Sequence, residues 1–223
     1  MRNIFINCIK KFLYLYVFIG FSYSYAGSYD DFFAAIKANN APAIAQLLSR
    51  GFDVNTLDSK GRHGLLLAVS EQSLKAAQAL VNAPKIDLNH LNANGESPLM
   101  LTALSGELEL AETLVKKGAD VNKTGWTPLH YAASNGHVAV IKLLLENHAY
   151  IDAESPNGST PLMMAGMYGS TEAVKLLLDE GADPLLKNQQ GLTALEFAKT
   201  GKRPDATGIL EKVTRSKRAT GAW

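Results

Sequence analysis

The chain has 223 residues, 47% of them apolar, a formal charge of +1 and one cysteine. That apolar share is enough for a large buried core and excludes a disordered chain. The charge is unevenly spread: residues 27–198 hold 12 basic and 19 acidic side chains, a balance of −7, which argues against nucleic acid as partner.

Taken in chain order, Arg2, Lys10 and Lys11 precede an apolar run from Phe12 to Phe21, and Ser24, Tyr25 and Ala26 lead into Gly27. This order predicts a secretory signal peptide over residues 1–26, cleaved after Ala26. Ten apolar residues are too few for a bilayer-crossing helix, which needs about 20. Extending the run back through Ile4 to Ile9 gives an interrupted anchor as the alternative, so membrane contact is expected only if the segment stays uncleaved. The one cysteine, Cys8, departs with the signal. The mature chain then has no thiol for a disulfide, for nucleophilic catalysis or for a metal, which suits an oxidising compartment.

Downstream, Gly61, Gly95, Gly125, Gly158 and Gly191 each begin a similar block, at spacings of 34, 30, 33 and 33. A period near 33 is the organising feature. The clearest block runs Gly125-Trp126-Thr127-Pro128-Leu129-His130-Tyr131-Ala132-Ala133 and closes on His148-Ala149-Tyr150-Ile151-Asp152. Thr127 is placed to cap a helix, and Pro128 fits its first turn because that N–H is unpaired anyway. Leu129 and the alanines face inward, and Val138, Ile141, Leu144 and Leu145 give a second helix an apolar stripe. Ser97-Pro98 and Thr160-Pro161 repeat the start. The first block, near 28–60, carries Phe32, Phe33, Ile36, Ile44, Leu47 and Leu48 without a Thr-Pro start, and the last, near 191–211, is degenerate and runs into a basic tail over 212–223.

These blocks resemble the ankyrin repeat over about residues 28–211. The resemblance implies an all-α repeat solenoid over 27–211, built of about six helix-turn-helix units with β-hairpin fingers. Its units lie near 28–60, 61–94, 95–124, 125–157, 158–190 and 191–211. One unit cannot bury its own apolar stripe, so stability comes from stacking neighbours. Two departures stand out. His63-Gly64 replaces Thr-Pro, which predicts a lost cap and a weak N-terminal junction. Gly125 follows Asn122 by three positions where Gly61 follows Asn55 by six, so one finger is short.

The histidines His63, His90, His130, His137 and His148 are the candidates for acid-base or metal chemistry. The resemblance gives His130 and His137 structural hydrogen bonds between adjacent units, and none of the five has the four-apart pairing of a helical metal site. No nucleophile elbow, phosphate-cradling loop or dinucleotide fingerprint occurs. The expectation is therefore a non-enzyme without cofactor or metal, with a histidine-dependent metal or hydrolytic site as the lower-ranked alternative.

The ligand-facing surface that the resemblance implies comprises Arg62, Glu96, Trp126 and Leu192 after the glycines. It adds Leu104, Asn135, Met167 and Tyr168 at inner-helix ends, and Asn92, Pro156 and Lys187 on fingers. Buried aromatic and methionine side chains dominate many interfaces. The expected function is protein binding in the periplasm of a bacterium. The alternatives are an inhibitor or immunity-like partner of an exported enzyme or toxin, and a membrane-tethered scaffold. The oligomeric state stays open.

Overall fold

The computed structural model describes residues 27–220, so the expected signal peptide, Cys8 included, lies outside the described residues. Among the described residues twelve helices form six pairs. α1 runs over 27–37, followed by α2 (Ala41–Ser49), α3 (Gly64–Ser70), α4 (Leu74–Val81), α5 (Pro98–Ser105) and α6 (Leu108–Lys116). Then come α7 (Pro128–Asn135), α8 (Val138–Glu146), α9 (Pro161–Met167), α10 (Thr171–Asp179), α11 (Ala194–Thr200) and α12 (Pro204–Thr220). The chain divides into two compact units, one ending at Ile86 and one starting at Asp87. None of the described helices is long and apolar enough to cross a membrane.

The first unit holds α1 to α4 around Phe32, Ile36, Ile44, Leu65, Leu67 and Leu80, all fully buried. Phe32 packs against Phe33 and Phe52, with ring centres 5.2 and 4.7 Å apart. The cap expected to be missing at α3 is present: His63 Nδ1 accepts the Leu65 N–H at 3.3 Å, while its Nε2 donates to Asn55 Oδ1 at 3.1 Å. Gly64 has a packing cause rather than a conformational one. A Cβ there would sit 3.1 Å from both Phe32 and Ile36, so a larger residue would require those side chains to shift by a few tenths of an ångström.

In the second unit the inner helices α5, α7, α9 and α11 stack in sequence, and the outer helices α6, α8, α10 and α12 stack behind them. Ser97, Thr127 and Thr160 each accept the N–H three residues on, and a proline follows each of them. These caps are worth about 1 kcal/mol each. The outer helices bury Leu110, Ala111 and Leu114, then Val140, Ile141 and Leu144, then Ala173, Val174 and Leu177. Val138, expected inside, is exposed as the first residue of α8, and Val140 takes the buried place. α12 continues to Thr220, so the boundary placed at 211 falls within a helix. Its extension carries Lys217, 3.6 Å from Asp183.

The fingers are turns rather than ladders: among the described residues one isolated antiparallel bridge, Leu57 to His63, is formed. Each full finger closes on its first residue, where Asp58, Asn92, Ser155 and Asn188 donate their N–H to the carbonyls of Arg62, Glu96, Ser159 and Leu192. Too few residues extend beyond these turns to build a sheet. Finger bases are tied across repeats by Asn55 to Lys85 O, Asn89 to the Asp120 N–H, Asn122 to His148 O and the Tyr150 N–H, and Asp152 to the Asp183 N–H. At the short finger, Pro156 of the next finger reaches to 3.5 Å from where a Gly125 Cβ would be.

Outer helices end on a left-handed residue, Gly51, Gly118 or Gly181, but His148 holds that place after α8 with φ of 66°. A residue with a Cβ is strained there, and glycine is not. His148→Gly should therefore raise stability by about 1 kcal/mol. Thermal denaturation checks this, and an unchanged or lower midpoint contradicts it.

Candidate functional site

The repeat-motif residues are spent on structure. Thr127, Pro128, Leu129 and His130 are buried, as are Ser97, Pro98, Thr160 and Pro161. His130 is fully buried. Its Nδ1 accepts the Thr127 N–H at 3.2 Å, and its Nε2 donates to Ser159 O of the next repeat at 2.9 Å. Those two bonds require the neutral ring. Burial accordingly pushes its pKa down to about 4. In α5 and α9 methionine takes the equivalent place, and the thioethers of Met100 and Met163 accept the N–H of Ser97 and Thr160 at 3.4 Å. A thioether can serve the cap but cannot donate onward, so the imidazole bridge belongs to the α7–α9 junction.

The ends of the inner helices are tied by a different side chain at each step. Leu104 O accepts from Asn135 Nδ2 at 2.8 Å and His137 Nε2 at 2.9 Å. Gly136 O accepts from the Ser170 hydroxyl, and Arg203 donates to the carbonyls of Tyr168 and Gly169. Two of the proposed surface residues, Leu104 and Asn135, thus also join repeats. The rings of His63, His130 and His137 are likewise spent on structural hydrogen bonds, and His90 Nδ1 lies 3.7 Å from Asp87. Among the described residues no group of three His, Cys, Asp or Glu side chains is placed to hold a metal.

The remaining proposed residues separate by position. Arg62 lies in the first unit and pairs with Asp58 at 2.7 Å. In the second unit, Trp126 is half-buried and meets His130 and Tyr131 edge to face, with centres 5.3 and 6.5 Å apart. The Tyr131 hydroxyl donates to Glu96 Oε1 at 2.8 Å, so Glu96, Tyr131 and Trp126 form one chain of contacts across two repeats. Tyr168 is 57% exposed, the more open of the two large side chains at this inner-helix end, beside half-buried Met167. Leu192 is half-buried, Pro156 and Lys187 are exposed, and Asn92 turns its amide onto Glu96. Tyr131 was not foreseen. Its partner lies 35 residues earlier, and only the repeat length hints at that contact.

Three copies of the family described as Ankyrin repeats match residues 32–124, 65–155 and 147–213. The chain belongs to the ankyrin-repeat family. A putative ankyrin repeat protein of Escherichia coli K12, YahD, is 30% identical over 179 residues, covering 76% of this chain and 88% of YahD. Mouse protein phosphatase 1 regulatory subunit 27 is 34% identical over 93 residues, covering 40% of this chain and 60% of that protein. Among other relatives it spans as little as 4% of the length, as in the Drosophila melanogaster E3 ubiquitin-protein ligase Ufd4. The crystal structure of the ankyrin repeat protein EF0377 superposes with a TM-score of 0.72 at 26% identity, covering 82% of this chain and 97% of that one. Ankyrin repeats are generally non-catalytic modules that bind proteins.

The neutral imidazole of His130 sets a pH dependence. Between its folded pKa of about 4 and the ordinary 6.5, the unfolded chain takes up a proton that the folded chain does not. Its contribution is therefore complete above pH 6.5 and lost as pH falls towards 4, by about 3 kcal/mol. Denaturant titrations at pH 7.5 and 4.5 should show this loss, and His130→Met should reduce it while copying α5 and α9. An equal acid loss in that variant contradicts the assignment.

Proposed function

We propose that this ankyrin array is a non-catalytic protein-binding module of a bacterial extracytoplasmic compartment, the periplasm first. The observation that carries the binding reading is the split in the second unit between motif side chains buried in stacking and large side chains left open. Tyr168 and Trp126 are two of the latter on the inner face, and a half-exposed aromatic offers much contact area for little lost side-chain freedom. The order of basic residues, apolar run and small residues before Gly27 supports export, and likeness to an Escherichia coli protein supports a bacterial setting. Likeness to a protein named as a phosphatase regulatory subunit favours, as second reading, an inhibitor or immunity-like partner of an exported enzyme.

A photo-crosslinking amino acid placed in living cells at Tyr168, or at Lys142 on α8, tests the reading. One discrete protein adduct at Tyr168 and none at Lys142 is expected, on a chain whose intact mass starts at Gly27. Equal labelling at both positions, or none at Tyr168, overturns the inner-face reading. A mass that includes residues 1–26 overturns the cleaved signal.

A further inference from the structure

We propose that Glu96, Tyr131 and Trp126 form a receptor for a basic side chain, an arginine guanidinium foremost, presented by the protein partner. The proposal rests on the inner-face reading and gives that partner a chemistry.

Glu96 is half-buried, and its carboxylate is held by donors on both oxygens. Tyr131 donates to Oε1 at 2.8 Å, and Asn92 and Asn94 donate to Oε2 at 2.7 and 3.4 Å. Burial alone raises its pKa, but these bonds outweigh burial and hold the group below the usual carboxylate range. The charge is thus fixed at neutral pH. None of the ion pairs among the described residues involves Glu96. A half-buried carboxylate held ionised with no cation of its own is an incomplete pair. A carboxylate has about four acceptor positions, so room for a further donor remains after its three internal bonds.

The neighbours suit a cation. Trp126 meets Tyr131 edge to face, the faces of indole and phenol rings attract a guanidinium, and one guanidinium N–H can take the acceptor position left on Glu96 Oε1. The chain shows the chemistry within itself. In the first unit Arg62, which follows its finger glycine as Glu96 follows Gly95, closes on the Asp58 carboxylate through Nε and Nη2, both at 2.7 Å. Residues 87–198 hold six basic and fourteen acidic side chains, a balance of −8, so the wider field also draws a cation.

The test uses Trp126 as reporter in a Trp223→Phe background, which leaves one indole in the chain. The probes are the peptides acetyl-(Gly-Arg)3-Gly-amide, its citrulline isostere and its glutamate counterpart. A saturable fluorescence change is expected with the arginine peptide, about tenfold weaker with citrulline and with Glu96→Gln, and absent with glutamate. Trp126→Leu, read by calorimetry, should weaken the arginine peptide similarly. Both variants are compared at matched folded fraction from thermal melts. Equal affinity for arginine and citrulline, an unaffected Glu96→Gln, tighter binding of the glutamate peptide, or no response to arginine overturns the proposal. A discrete Tyr168 adduct alongside any of these would leave the protein-binding reading standing and remove only the cation receptor.

Discussion

How closely one inner helix can approach the next sets everything else in the second unit. Ala103, Ala132, Ala133, Ala165, Ala194 and Ala198 are all buried along the stacking faces. At the helix ends the spacing is tighter still. A Cβ on Gly169 would run into Ala133 O, and one on Gly201 into Met167 O. Small residues there are a condition of stacking, and stacking is the only way a two-helix unit of this size buries its stripe. Once the helices are this close, their terminal carbonyls face the following repeat. His137, Ser170 and Arg203 then do one job with three chemistries. The same closeness brings Ser159 O within reach of the His130 ring.

This constraint also decides which side chains stay out of the stack. Positions that point along the stack are consumed by it, and positions that point across the inner helices are spared. Trp126, Met167 and Tyr168 are of the second kind. Glu96 and Tyr131 lie between the two kinds, since they bond across a repeat boundary yet stay half-open. A pair that joins repeats and still presents charge gives the surface a stiff floor. The short finger removes a turn clamp of the type made by Asn92 or Asn188, and Pro156 from the next finger fills part of the gap.

The repeat was legible because each block carries its own punctuation. Thr127-Pro128, the left-handed glycines and the inward alanines are local signals, and the structure places them as their chemistry suggests. Where the sequence misled, the cause was a contact from elsewhere. His63 in the place of threonine implies a lost cap, yet its ring accepts the Leu65 N–H with Asn55 holding the other nitrogen. Gly64 looked like a helix weakness until Phe32 and Ile36 were seen above it. Val138 fits the apolar stripe by composition, but its place at the helix start turns it outward. Only the repeat length hints at the Glu96–Tyr131 bond, because two residues 35 apart meet only once the helices are stacked.

The division of labour to be tested lies between buried motif residues and spared inner-face residues. Affinity purification from cells, paired with thermal melts of the same proteins, compares it directly in three variants: His130→Ala, Trp126→Ala with Tyr168→Ala, and Lys142→Ala with Glu109→Ala. The account predicts that His130→Ala lowers the melting midpoint. The inner-face pair should keep that midpoint and lose the parent's co-purifying protein, and the outer-face pair should keep both. Retention of the partner by the inner-face pair, or its loss only from the outer-face pair, would contradict it.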